Sequence, residues 1–253
     1  MISFNEAQIV TWITPILWPF LRILGLFATA PVISMRSFPM RARVALAFMI
    51  TVCAQASLPD MPQIPLDSPM AFLTVVQQVL IGASLGFAAR IVFAAIEFAG
   101  ELIGLQMGLN YAGFFDPSSG ANGTAVSRFF GTTVSWLFII INGHLLLIAA
   151  LVQSFHAFPV GPEPFEFLRT VQPQVWGAEI FKLGLWIALP VITMLLFVNL
   201  VLGIISRVSQ QMNIFAIGFP ITLGVGLLGM LLTLPMMEAP FTMALEQMLS
   251  HFQ

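Results

Sequence analysis

Apolar residues fill this chain in long stretches, and its rare charges mark where the stretches end. Uncharged intervals cover residues 44–59, 68–89, 129–162, 183–206 and 208–237. An ionised group at the centre of a bilayer costs at least about 2.5 kcal/mol, so such intervals are candidate membrane helices. Most reach the roughly 20 residues that cross a hydrocarbon core. An amino-terminal run from Ile9 to Ser34 is as long but carries Arg22. The pattern predicts an all-α polytopic membrane protein of six long helices arranged as hairpins, near 9–34, 42–58, 69–96, 129–155, 180–206 and 212–236. An unusual stretch remains from 97 to 128.

Two connecting segments carry a signal of their own. Pro59, Pro62, Pro65 and Pro69 predict a stiff, extended first loop. The 156–179 segment interleaves Pro159, Pro162, Pro164 and Pro173 with Phe158, Phe165, Phe167 and Trp176. It reads either as an interfacial loop with aromatic anchors or as a contact surface for a partner. The first helix is expected to stay uncleaved. Ala28-Thr29-Ala30 resembles a cleavage site, but Glu6 precedes the run without any Lys or Arg and Arg22 interrupts it. Arg36, Arg41 and Arg43 follow this helix, and the next loop holds Asp60 and Asp67 without a cation. The positive-inside rule then sends helix one from outside to inside, puts Arg90, Arg128 and Arg207 inside and leaves the 156–179 loop outside.

Composition closes off other classes. Of 253 residues 58% are hydrophobic and 8% charged, about a third of the roughly 25% usual in soluble domains. A net charge of −2 gives no basic footprint for nucleic acid. One cysteine, Cys53, excludes an internal disulfide and any multi-cysteine metal site. His144, His156 and His251 have no His or Glu partner at i+4, and there is no phosphate loop, no GxSxG and no nucleophile with a base. No enzyme, metal or cofactor is expected from such a chain.

Charges inside apolar helices are candidates for function, and here they share a face. In a continuous helix over 90–108, Arg90, Glu97, Glu101, Gly104 and Gly108 fall within an arc of roughly 60°. Gly100, Gly104 and Gly108 form two successive GxxxG steps, which let another backbone approach closely. Two readings compete for the carboxylates. Glu97 and Glu101 either titrate in a proton or cation relay, as a small-solute or ion carrier would need, or pair structurally with cations on neighbouring helices or subunits.

Beyond Gly108 the chain reads Leu109-Asn110-Tyr111-Ala112-Gly113-Phe114-Phe115-Asp116-Pro117 and continues to Gly123 through Ser, Gly and Asn. Such a segment does not hold a regular helix. Irregular backbone at membrane depth is tolerated where protein or a water-filled cavity surrounds it. An aromatic loop there either constricts a pore or anchors a turn at the lipid interface.

Gly104-Leu105-Gln106-Met107-Gly108-Leu109, with Ala112, Phe114 and Asp116-Pro117, resembles the signature segment of the FliR/SctT family of type III secretion export-gate proteins. The likeness extends through Trp18-Pro19 with Arg22, Ala30-Pro31, Gln78, Gly82, Gly86-Phe87, Asn142-Gly143-His144 and Ile217-Gly218-Phe219-Pro220. Residues 1–175 are similar to a FliP-like part containing the loop 108–123. Residues 176–253 are similar to a FliQ-like hairpin through Leu189-Pro190, Gly203, Ser206, Gln210-Gln211, Asn213 and Phe219-Pro220. The FliQ pattern has a lysine after Phe-Pro, whereas Ile221 stands here.

The resemblance implies a non-enzymatic subunit of the bacterial inner membrane and flagellar basal body, with part of the assembly raised toward the periplasm. It implies FliP-, FliQ-, FlhB- and FlhA-like partners around a pore for unfolded flagellar substrates, with apolar surface buried against sister subunits as well as lipid. The loop becomes a plug with Tyr111 and Phe114 as its rings, Gly108 and Gly113 as its flexible points and Phe115 as an extra ring. The face of Arg90, Glu97, Gly100, Glu101 and Gly104 becomes a packing surface. Arg207, Gln210 and Gln211 become an FlhB-facing tip.

Overall fold

In the computed structural model, residues 6–35, 37–109, 123–161, 163, 165–208 and 214–252 are described. They form helices and no strands. The helices are α1 (Glu6–Thr29), α2 (Met40–Ala54), α3 (Pro69–Gln106), α4 (Ala125–Ile140), α5 (Gly143–Ala157), α6 (Glu166–Val171), α7 (Gly177–Val208), α8 (Ile214–Thr233) and α9 (Glu238–Leu249), with short 3-10 turns between some of them. Among the described residues four helical stretches are long and apolar enough to cross a membrane: Thr11–Thr29, Pro69–Gln106, Gly177–Val208 and Ala216–Phe252. The bent pair α4 and α5 makes a fifth if it is one span. The expected all-α polytopic membrane architecture is therefore present.

Several boundaries differ from the sequence expectation for local reasons. Helix α1 stops at Thr29 instead of 34, before Pro31, which disfavours helical backbone at Ala30, and Val32, whose φ is positive at 66°. The 42–58 element is a helix of only 15 residues, too short to span about 30 Å. The expected helix over 129–155 is broken at Asn142, which adopts a left-handed conformation at φ 57°, and Gly143 follows under the Phe138 ring. The expected 69–96 helix and the glycine-rich 90–108 stretch are one helix of 38 residues. Ser68 and Pro69 start it. The Ser68 hydroxyl accepts the Ala71 N–H at 3.2 Å, and proline occupies the first helical position where its missing donor does no harm.

The chain forms two compact units. The first comprises residues 1–91, 138–176 and 245–253. Within it α1 and α3 pack through small residues: Gly25 lies against Val79 and Ala83, Gly82 against Arg22, and Gly86 against Leu26, Thr29 and Ala30. The partners rise together along both helices, so the two run parallel, and the Thr29 hydroxyl donates to Ala83 O at 2.8 Å. Trp18, Ile64 and Ala71 form a buried cluster with Leu17, Leu21, Met61, Val75 and Val160 around it. Trp176 stacks on Phe87 at 6.2 Å and meets His251 and Phe252 edge-on.

The second unit comprises residues 92–137 and 177–244. There Gly184 of α7 lies against Ala95 and Phe98 of α3, and Gly229 of α8 lies against Val191 and Met194 of α7. Phe98 and Phe181 meet edge to face at 5.2 Å, as do Phe93 and Phe241 at 5.7 Å. In its most apolar stretch α3 has 61% of its residues buried inside the chain, against 22% in that of α7. Helix α7 accordingly exposes Phe181, Trp186, Phe197 and Leu200.

Candidate functional site: the glycine and carboxylate face

The site begins where α3 ends. Gly108 N–H donates to Leu105 O and Leu109 N–H to Gly104 O, both at 3.0 Å. These are the two bonds of a Schellman ending, and they require the positive φ of 81° that Gly108 adopts. The chain is described again from Gly123, also at positive φ, 87°. A pair of glycines in conformations that side chains resist thus brackets the segment 109–122. Tyr111, Gly113, Phe114 and Phe115 lie outside the described residues.

From Gly123 onward the chain packs along the face that the sequence singles out. A Cβ on Gly100 would sit 2.9 Å from the Ser127 Cα, and one on Gly104 would sit 2.5 Å from the Thr124 hydroxyl oxygen. Both glycines are therefore filled by α4 and its cap within this chain. Thr124 caps α4 by accepting the Ser127 N–H at 3.1 Å. The Glu101 carboxylate accepts the Thr124 N–H at 2.8 Å. In a capping box, a glutamate three residues into the helix makes that second bond. Here α3 supplies it from outside, with the negative charge at the positive end of the α4 dipole. The Ser127 hydroxyl donates to Glu97 O at 2.9 Å, and a Cβ on Gly131 would sit 3.0 Å from Glu97 Oε1.

These contacts gather Glu97, Gly100, Glu101 and Gly104 into one interface with residues 123–131. Arg90 is exposed, and no described ion pair or hydrogen bond involves it. Arg207 is exposed at the end of α7, and Gln210 and Gln211 lie outside the described residues. Below the interface an apolar cavity of about 450 Å³ is lined by Met107, Leu109, Val126, Phe129, Leu223 and Met230, among others. Both stems of the 109–122 segment therefore open onto apolar wall. Among the described residues no three His, Cys, Asp or Glu side chains could hold a metal ion.

One constellation escaped the pattern reading. In the first unit Arg22 is 0% exposed and its guanidinium lies 3.7 Å from the centre of the Phe155 ring. Its Nε donates to Gln78 Oε1 at 2.7 Å, one terminal nitrogen to Ser154 O at 2.8 Å and Ser154 Oγ at 3.0 Å, and the other to Phe158 O at 2.8 Å. These acceptors lie 56 to 136 residues away in sequence. The signals available beforehand were the charge itself and its place beside Trp18-Pro19 in the family likeness.

Long apolar helices, packed through glycines and with charges spent on helix ends, define a polytopic membrane protein. The family described as bacterial export proteins, family 1, matches residues 13–248. Similar proteins include the flagellar biosynthetic protein FliR of Escherichia coli K12, 44% identical over 241 residues, which cover 95% of this chain and 92% of that one. FliR of Pectobacterium carotovorum is 43% identical over 95% of this chain and 92% of its own length. FliR of Bacillus subtilis 168 is 30% identical over 81% of this chain and 80% of its own. The chain belongs to bacterial export proteins, family 1, the family that includes these FliR proteins.

Proposed function

We propose that this chain is a structural, non-catalytic subunit of the flagellar type III export gate, lining a pore with FliP- and FliQ-like subunits and contributing the plug that closes it. It works in the bacterial inner membrane within the basal body, beside FlhB- and FlhA-like proteins, and unfolded flagellar substrates pass through the pore. The family membership supports the export role. The observation that carries the plug is the fixed pair of stems: a Schellman ending at Gly108 and a Glu101-held cap at Thr124, 16 residues apart, both beside an apolar cavity. Rigid stems let a short aromatic loop be aimed, and apolar rings in a narrow pore exclude water and ions.

Residues 1–175 form the FliP-like part and 176–253 the FliQ-like hairpin. The packing of Gly229 on Val191 and Met194, which joins α7 to α8 as antiparallel neighbours, supports the second assignment. Arg90 is free to meet an acidic group on a sister subunit. Replacing Tyr111 and Phe114 together with Ala is expected to make cells leak a small dye while the gate still assembles with its partners. An assembled double variant with unchanged permeability overturns the plug role.

A further inference from the structure

The Arg22 constellation does more than satisfy one buried cation. Gln78, itself 0% exposed, passes the chain of bonds on by donating from Nε2 to Gln77 Oε1 at 2.8 Å. That same oxygen accepts the Gly161 N–H at 3.0 Å. The Gln77 amide nitrogen lies 3.4 Å from Pro159 O and 3.5 Å from Glu163 O. Segment 158–163 is thus held at Phe158 by Arg22 and at three later points by Gln77. Its prolines cannot form their own helical or ladder bonds, so these side chains supply the partners that the segment lacks.

We propose that Arg22, Gln78 and Gln77 form the anchor of a strap, that residues 158–161 and 163 lie seated across the α1–α3 pair because of it, and that a seated strap is required for export. The requirement for arginine follows from geometry. A guanidinium donates in a fixed planar fork to three directions and stacks on a ring at once, whereas an ammonium is a point charge on a flexible stem. All the described acceptors are neutral, and two of them are carbonyls at the carboxyl end of α5, where the helix dipole is negative. Losing that end would strand a buried charge, so the strap is seated or released with little between. Only the export clause rests on the function proposed above; the seating of the strap stands apart from it.

The test uses Gly161→Cys in a Cys53→Ser background, in detergent-solubilised membranes with a hydrophilic maleimide. The nearest non-neighbouring atom to a Cβ at residue 161 is Gln77 Nε2 at 3.9 Å, so the reporter fits. Arg22→Lys keeps the charge and loses the fork. Gln77→Leu cuts the bonds to the strap together with the one from Gln78 Nε2, and leaves the four acceptors of Arg22 in the chain, which guards against a variant that fails to fold. Both are expected to label about fivefold to tenfold faster than the parent, the factor that one or two net hydrogen bonds give. Swimming of a complemented FliR-deficient strain is expected to fall while protein levels hold. Unchanged labelling in Gln77→Leu overturns the strap. Faster labelling with full swimming overturns its requirement for export and leaves the pore reading untouched.

Discussion

Two ionisable residues inside apolar helices, Arg22 and Glu101, turn out to serve the backbone of other helices. Glu101 sits at the amino end of α4 and Arg22 at the carboxyl end of α5, each with the sign that its dipole favours. An apolar chain can keep such charges because the helix ends supply opposite partial charge where no side-chain ion pair exists. Removing the Glu101 carboxylate as Glu101→Ala leaves the Thr124 N–H without its acceptor, and is expected to destabilise the purified protein by about 1–3 kcal/mol. Glu101→Gln keeps an acceptor and is expected to cost about half that or less. Thermal unfolding in detergent orders the two, and an Ala variant as stable as the parent would remove Glu101 from the cap. Both charges were legible in the sequence, and so was the glycine-lined face that carries Glu101. Their partners were not, because a backbone N–H or carbonyl has no letter of its own and the Arg22 acceptors lie as far as 136 residues along the chain.

Among elements, the parallel pair α1 and α3 shows how glycine sets a distance between helices. The backbones meet at Gly82, where a Cβ would run into the Arg22 carbonyl. Gly82→Ala is therefore expected to push the helices apart and cost about 1–3 kcal/mol, by the same arithmetic as overpacking a core. Gly203 of α7 is the internal control. Among the described residues nothing lies within 4 Å of its Cβ position, so Gly203→Ala is expected to leave thermal unfolding unchanged or raise it slightly through helix propensity. A reversed order, with Gly203→Ala the more harmful in the isolated chain, would contradict the packing described. The long apolar runs were readable as helices because charge spacing and bilayer thickness leave few alternatives. The break at Asn142-Gly143 was not, since an apolar run looks the same straight or bent, and only the left-handed Asn142 and the Phe138 ring over Gly143 set the bend.

At the scale of the whole molecule, the apolar surface is spent unevenly. The most apolar stretch of α3 is mostly enclosed by its own chain, whereas α7 keeps Phe181, Trp186, Phe197 and Leu200 exposed along its length. A helix that is apolar all round yet mostly uncovered needs lipid or other subunits against it. Its carboxyl end carries the exposed Arg207, which the positive-inside rule puts on the cytoplasmic face. The function proposed above calls for an FlhB-like partner there. Single cysteines at Ser209 or Gln210, in a Cys53→Ser background, are therefore expected to crosslink to an FlhB-like protein, and cysteines in the 156–179 loop are not. The contrast is informative because one orientation of the chain sets both outcomes. Crosslinks from the 156–179 loop alone would invert the orientation and move the tip to the other face. Because α1 and α3 run parallel, whichever face takes the start of α1 also takes the proline-rich loop that leads into α3, so the same crosslinking pattern would carry the Arg22 strap with it.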